Sequence, residues 1–338
     1  MFNGVPKIIT KYAGIFISIT VLLFILIKFI PENIIISNYG AGAYNGLGLK
    51  DPVFIQYFYF LFDLITGNMG SVNIKIYTGN TLGIVGMLLP ETLEFLLISF
   101  LASLAISYKV GVFIGTKYSN TNNINVNVFP FLILYLITGL ILLTIFSGLL
   151  GIFPLRYIIP NRFATGYPWI GYAGNGIFIT KPTNIIMLDS IINGNYTVLI
   201  YYVRGFILPF IALIIPSTIY LCIYISRLTS IEYNKDYLKI AFIRGLYGND
   251  YIKHIKRNID STIIREMKPV FILFIGGMII ISYIYSYMNI GEFVVYSFLN
   301  YNGGLMGAIY GIFILIVIIL IFDFIIDLAM RGKKYVLH

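Results

Sequence analysis

Charge is scarce in this chain: only 11% of its 338 residues are Asp, Glu, Lys or Arg, against about 25% in soluble domains. Together with 59% hydrophobic residues and a mean hydropathy of +0.89, that scarcity excludes an ordinary soluble domain and points to an integral membrane protein. Cysteine is scarcer still. Cys222 stands alone inside an apolar run, so no internal disulfide can form, and it reads as a small buried hydrophobe. The two histidines, His254 and His338, have no cysteine or second histidine at metal-ligand spacing. No Gly-x-x-x-x-Gly-Lys-Ser/Thr run occurs, so the chain carries no phosphate-binding loop of its own. No nucleophile, base or metal cluster speaks for an enzyme.

What is present is long apolar runs. Six are long enough to cross a bilayer, near residues 8–30, 91–116, 128–152, 205–226, 269–290 and 304–330. The fold class expected is therefore an all-α integral membrane protein with six transmembrane helices. The formal charge of +9 is spread around these runs rather than gathered on one face, so it reads as a topology signal and not as a nucleic-acid surface. If the N-terminus is cytoplasmic, sixteen basic residues lie inside: Lys7, Lys11, Lys109, Lys117, nine from Arg227 to Lys268, and Arg331, Lys333 and Lys334. Seven then lie outside, namely Lys28, Lys50, Lys75, Arg156, Arg162, Lys181 and Arg204. The opposite orientation would break the positive-inside rule. The organisation expected is an N-terminus and first span over 1–30, an extracellular segment over 31–90, and a core transmembrane domain over 91–338. That core includes an extracellular stretch, 153–204, and a cytoplasmic loop, 227–268.

The loop is the most informative segment. Glu232 to Ile243 mixes apolar Tyr233, Tyr237, Ile240, Ala241 and Phe242 with Lys235, Asp236 and Lys239, a rough amphipathic helix. Gly245 follows, where a left-handed residue would end the helix and turn the chain, and a second helical piece over Asp250–Asn258 is expected to return toward the fifth span. Asp236-Tyr237-Leu238-Lys239-Ile240-Ala241-Phe242-Ile243-Arg244-Gly245-Leu246, with Arg257-Asn258 beyond it, resembles the coupling (EAA) loop of binding-protein-dependent ABC importer permeases of the dipeptide/oligopeptide branch. Asp236, Tyr237, Ala241, Gly245 and Leu246 fall on that pattern, and Arg244 keeps its charge. Phe242 and Ile243 stand where the pattern has an Arg-Ala pair, which makes this loop more apolar.

Shorter matches extend the resemblance along the chain. Leu47-Gly48-Leu49-Lys50-Asp51-Pro52 precedes Gln56-Tyr57, then Gly67-Asn68-Met69-Gly70-Ser71 follows, in the family's order. By itself Phe54–Leu64 reads equally as an interfacial helix with its aromatics at headgroup level. Leu89-Pro90-Glu91-Thr92-Leu93-Glu94 opens the second span in the family manner, with proline expected in the first helical turn. Lys181-Pro182-Thr183, Leu188-Asp189-Ser190 and Asn193-Gly194 come before a span entered through Leu208-Pro209-Phe210.

The resemblance implies a permease subunit that forms the substrate pathway with a second permease in a heterodimer. Two ATPase subunits would dock on the loop, with Asp236, Tyr237, Ala241, Arg244, Gly245 and Leu246 as the coupling residues. An extracellular binding protein would deliver substrate, and ATP and Mg would be bound by the partner subunits, with no cofactor on this chain. It also implies a plasma-membrane, multi-pass protein with both termini cytoplasmic, in contact with lipid and not with nucleic acid. A different class stays open from the residues alone: an ion-coupled secondary transporter or channel in which Asp323, an intramembrane carboxylate, carries the ion. Asp327, one turn later, is expected to pair with Arg331. Secondary transporters commonly carry inverted repeats, and no repeat is visible here. Trp169, the Asn120–Asn127 run and the sequon Asn195-Tyr196-Thr197 read as an outer-segment aromatic, a polar turn and a weak glycosylation signal.

Overall fold

The computed structural model describes residues 5–39, 48, 50–74, 77–118, 129–155, 183, 185–192, 194 and 196–334. Its elements in chain order are α1 (Val5–Lys28), α2 (Glu32–Tyr39), α3 (Val53–Thr66), β1 (Ser71–Asn73), β2 (Thr78–Asn80), α4 (Thr81–Lys117), α5 (Phe129–Leu142), α6 (Ile186–Ile192), α7 (Tyr196–Tyr233), α8 (Asp236–Ile243), α9 (Gly248–Tyr285), α10 (Ile290–Leu299) and α11 (Tyr301–Lys334). A π-helical stretch, Leu143–Leu149, continues α5. Six helices are long and apolar enough to cross a membrane: α1, α4, α5 with its π extension, α7, α9 and α11. Their exposed residues are largely apolar, as a lipid solvent requires. Trp169, Asn120–Asn127 and Asn195 lie outside the described residues.

The six expected spans are therefore present, but their ends differ from the hydropathy reading. The second begins at Thr81, so Pro90 sits inside α4 and not in its first turn. The fourth begins at Tyr196, which places Pro209 well inside α7. The fifth stops at Tyr285, short of residue 290, because Ser286 takes a positive φ of 50°. The backbone N–H of Tyr287 then bonds back to the carbonyl of Ser282 at 2.8 Å. The chain re-enters a helix at α10, whose N-cap, Asn289, accepts from the N–H of Glu292 at 3.0 Å.

The chain divides into two compact units: residues 1–94, 151–207 and 282–320, and residues 95–150, 208–281 and 321–338. In the first, α1 packs on α3 and α2 touches β1. β1 and β2 pair antiparallel with Val72 opposite Gly79. The interior of this unit includes Phe60, Leu64, Met69, Leu88, Tyr287 and Phe293.

In the second unit a stripe of small side chains runs along α4 at every fourth position. Ser99, Ser103, Ser107, Gly111 and Gly115 share one buried face and meet α7, where Ser103 Oγ donates to Ser217 Oγ at 3.1 Å. Small residues let helix backbones approach closely, the main source of helix association where lipid is the solvent. At Gly115 a Cβ would lie 2.5 Å from the carbonyl oxygen of Ser226, so only glycine allows this approach. Elsewhere in the unit, the Phe100 ring packs edge-on against Phe271, Phe274 and Phe322.

Candidate functional site

The amphipathic helix expected over 232–243 is split between the end of α7 and a separate short helix, α8. α7 runs through Tyr233, the chain extends at Lys235, and α8 starts afresh at Asp236. An acidic first residue suits the positive end of a helix. The Asp236 carboxylate also binds Lys239 Nζ at 2.8 Å, a bond that lowers its pKa. α8 ends at Arg244, and Gly245 follows with φ +91°. No residue with a β-branched side chain takes that angle readily. The N–H of Leu246 closes the turn on the carbonyl of Ala241 at 3.1 Å. α9 then starts at Gly248 and continues without interruption into the fifth span; the separate piece expected over Asp250–Asn258 is its first turns.

A polar network ties this hairpin together. The Tyr237 hydroxyl donates to the Glu232 carboxylate at the end of α7 and accepts from Asn258 Nδ2 at 2.6 Å. Asn258 reaches Glu232 as well, at 3.1 Å. Lys235 neutralises the same carboxylate at 2.6 Å. Burial, with the bond to Glu232 added, pushes the Tyr237 hydroxyl up to about 12, so it stays a donor at any physiological pH. Aromatic contacts reinforce the tie: Tyr233 with Tyr251 at 5.6 Å, Tyr237 with His254 at 6.1 Å and Phe242 with Tyr247 at 4.8 Å between ring centres. Leu238 is fully buried. On the outside of α8 and its turn, by contrast, Ile240, Phe242, Ile243 and Tyr247 are exposed, Ile243 at 81%. The outcome is a rigidly held helix that offers an apolar tip edged by Lys239, Asp236 and Arg244.

Of the residues singled out in the sequence, Asp236, Tyr237, Ala241, Arg244, Gly245 and Leu246 all lie on α8 or its turn. Of these, only Tyr237 takes part in the network. Glu232, Lys235 and Asn258 complete it, and Glu232 and Lys235 carry no signal in the sequence beyond being charged. Asp327 bonds Lys268 of α9; the Arg331 side chain, its expected i,i+4 partner, lies outside the described residues. Asp323 is half-buried in α11. Cys222 is half-buried, its Sγ 3.8 Å from the Ser107 carbonyl oxygen.

A second polar constellation lies in the first unit, and sequence reasoning missed it. The Tyr77 hydroxyl donates to Glu292 at 2.7 Å. Tyr202 donates to Glu94 at 3.1 Å and lies 3.1 Å from the Tyr287 hydroxyl. The N–H of Ile290 donates to Thr92 Oγ1 at 3.0 Å, and Asn289 Nδ2 to Ser282 Oγ at 2.6 Å. Glu91 is fully buried and Glu292 is 2% exposed. Burial raises the Glu292 carboxyl to about 7; the Tyr77 bond opposes this and the Glu91 charge adds to it. Leu89-Pro90-Glu91-Thr92-Leu93-Glu94 pointed to the start of a span, but nothing local pointed to partners some 200 residues away. Among the described residues no group of three or more His, Cys, Asp or Glu side chains could hold a metal ion. No protein-family model matches the chain, and no curated protein is significantly similar to it.

Proposed function

We propose that the chain is the transmembrane permease subunit of an ABC importer of the dipeptide/oligopeptide type. In this reading it forms the substrate pathway with a second permease and is driven by two ATPase subunits, and an extracellular binding protein supplies the substrate. Both termini and the α8 hairpin face the cytoplasm of a cell that carries the protein in its plasma membrane. The observation that carries the reading is α8 itself. A short helix outside the apolar spans, braced against α7 and α9 by the Tyr237 network, exposes Ile240, Phe242 and Ile243. In isolation such an apolar tip gains nothing in water; seated in a cleft of an ATPase it would be covered, with Arg244 free to make a charge-assisted contact at the rim. The match of Asp236, Tyr237, Ala241, Gly245 and Leu246 to the coupling-loop pattern supports the same reading.

The test is Gly245→Val in the assembled transporter. A β-branched residue at φ +91° distorts the turn, so uptake should fall to background while the protein still reaches the membrane and ATP hydrolysis continues. Normal uptake by that variant, or ion-driven uptake by this chain alone in vesicles without any ATPase, would overturn the proposal. In the proposed mechanism the carboxylate of Asp323 carries no ion, and Asp323→Asn leaves uptake intact.

A further inference from the structure

Within the second unit, α4, α7 and α9 enclose a groove of about 400 Å³. That is the size range of small-molecule sites. Its walls are Leu101, Leu104 and Ala105 of α4, Ile225 of α7, and Ile263 and Met267 of α9, with Tyr108 and Lys109 at one end. Leu101, one of its walls, is 62% exposed, and Leu97 and Phe113 elsewhere on α4 are strongly exposed as well. The surface it opens on is therefore one that a bilayer covers. The polar end has a defined structure: the Tyr108 hydroxyl donates to Asp260 at 2.9 Å, and Lys256 Nζ lies 5.5 Å from the centre of the Tyr108 ring.

We propose that this groove binds one anionic phospholipid, an acyl chain lying along the apolar walls and the phosphate between Lys109 and Lys256. Charge complementarity selects this occupant. The groove combines an apolar trough with Lys109 at one end and Lys256 against the Tyr108 ring there, two positive charges against the single carboxylate of Asp260 that accepts from Tyr108. Basic pockets between transmembrane helices are the recognised form of an anionic headgroup site, and long lysine side chains place their charge at the interface while their stems lie on apolar surface. The inference requires only that the chain is embedded in a membrane, and stands apart from the transport reading.

The full chain, delipidated in detergent, is titrated with phosphatidylglycerol or with phosphatidylcholine of the same acyl chains, and bound lipid is counted by native mass spectrometry. The first phosphatidylglycerol should bind about tenfold more tightly than phosphatidylcholine, as expected for two lysines near a phosphate. Lys109→Gln with Lys256→Gln should remove that preference and leave binding of phosphatidylcholine unchanged. Ala105→Phe, which fills the trough, should weaken both lipids about tenfold; if that variant does not fold, Leu101→Gln serves, with the same expectation. Equal affinity of the unmodified chain for the two lipids, or a preference that survives the double lysine substitution, overturns the proposal. So does efficient cross-linking of Ala105→Cys, in a Cys222→Ser background, to a second protein chain in the membrane, because the groove is then covered by protein.

Discussion

Tyrosine hydroxyls bond carboxylates in both the first unit and the α8 hairpin, with opposite results. Around Glu292 the groups are sealed: Tyr77 and Glu91 are fully buried and Glu292 is 2% exposed. No cation is among the groups that shift this carboxyl, so burial and the neighbouring Glu91 charge keep it largely protonated up to about neutral pH. Glu232 is buried too, at 6% exposed, but a half-exposed cation, Lys235, lies within 2.6 Å of it. There the carboxylate stays charged and accepts three donors. The first arrangement makes a proton part of the packing; the second uses the same bond type to hold a helix in place with its apolar side outward.

Breaking that contrast should cost most at Glu292. Its carboxyl goes from an ordinary 4.5 to about 7 in the folded chain, so between these values the folded state holds the extra proton. The stability it contributes is complete below about pH 4.5 and is lost as pH rises through about 7. The loss is on the order of 3 kcal/mol, read as a falling unfolding temperature in detergent between pH 5 and 8. Glu292→Gln, neutral throughout, should flatten that profile; an unchanged slope would show that another group titrates. Next is Thr92→Val, which leaves the buried N–H of Ile290 without its acceptor and should lower stability by about 2 kcal/mol at all pH values. At the hairpin Tyr237→Phe should cost only about 1 kcal/mol, because Lys235 and Asn258 still bind Glu232. Its signature is local: faster amide exchange over 234–247 with the unfolding temperature nearly unchanged. Smallest for stability is Ile243→Ser at the exposed tip, expected within about 0.5 kcal/mol of the parent, while the proposed docking predicts a clear loss of uptake by the assembled transporter. Stability losses of equal size at Tyr237 and Thr92 would erase the difference between the two regions.

The number and order of the spans were legible because hydropathy is a property of composition along about 20 residues. Their ends were not. α4 and α7 begin among Thr, Gly, Tyr and Asn residues that no hydropathy window includes, and α9 stops at Ser286, a serine at positive φ with neither Gly nor Pro to mark it. In the hairpin, Gly245 was legible as a turn because few other residues take its angle. The network was not, since Glu232 and Asn258 meet across 26 residues of chain, and the local patterns that include them say nothing of that pairing. The small-residue face of α4 has a regular four-residue period from Ser99 to Gly115, yet those residues lie inside an apolar run where hydropathy averages them away. The Tyr77–Glu292 pair joins positions 215 residues apart, a relation that only the folded chain displays.

The unbroken course of α9 has a mechanical consequence. It is 38 residues long, about 57 Å at the helical rise, and Asn258, which bonds α8, belongs to it some ten residues from its start. An α-helix is stiff in bending and twisting over such lengths, and the places where this one bends most easily are Pro269 and the Gly276-Gly277 pair. Whatever pushes or turns α8 therefore loads a lever arm. A tilt of about 5° at the hairpin corresponds to a lateral travel of about 5 Å over the full length of the rod, large against the sub-ångström tolerances of packed side chains.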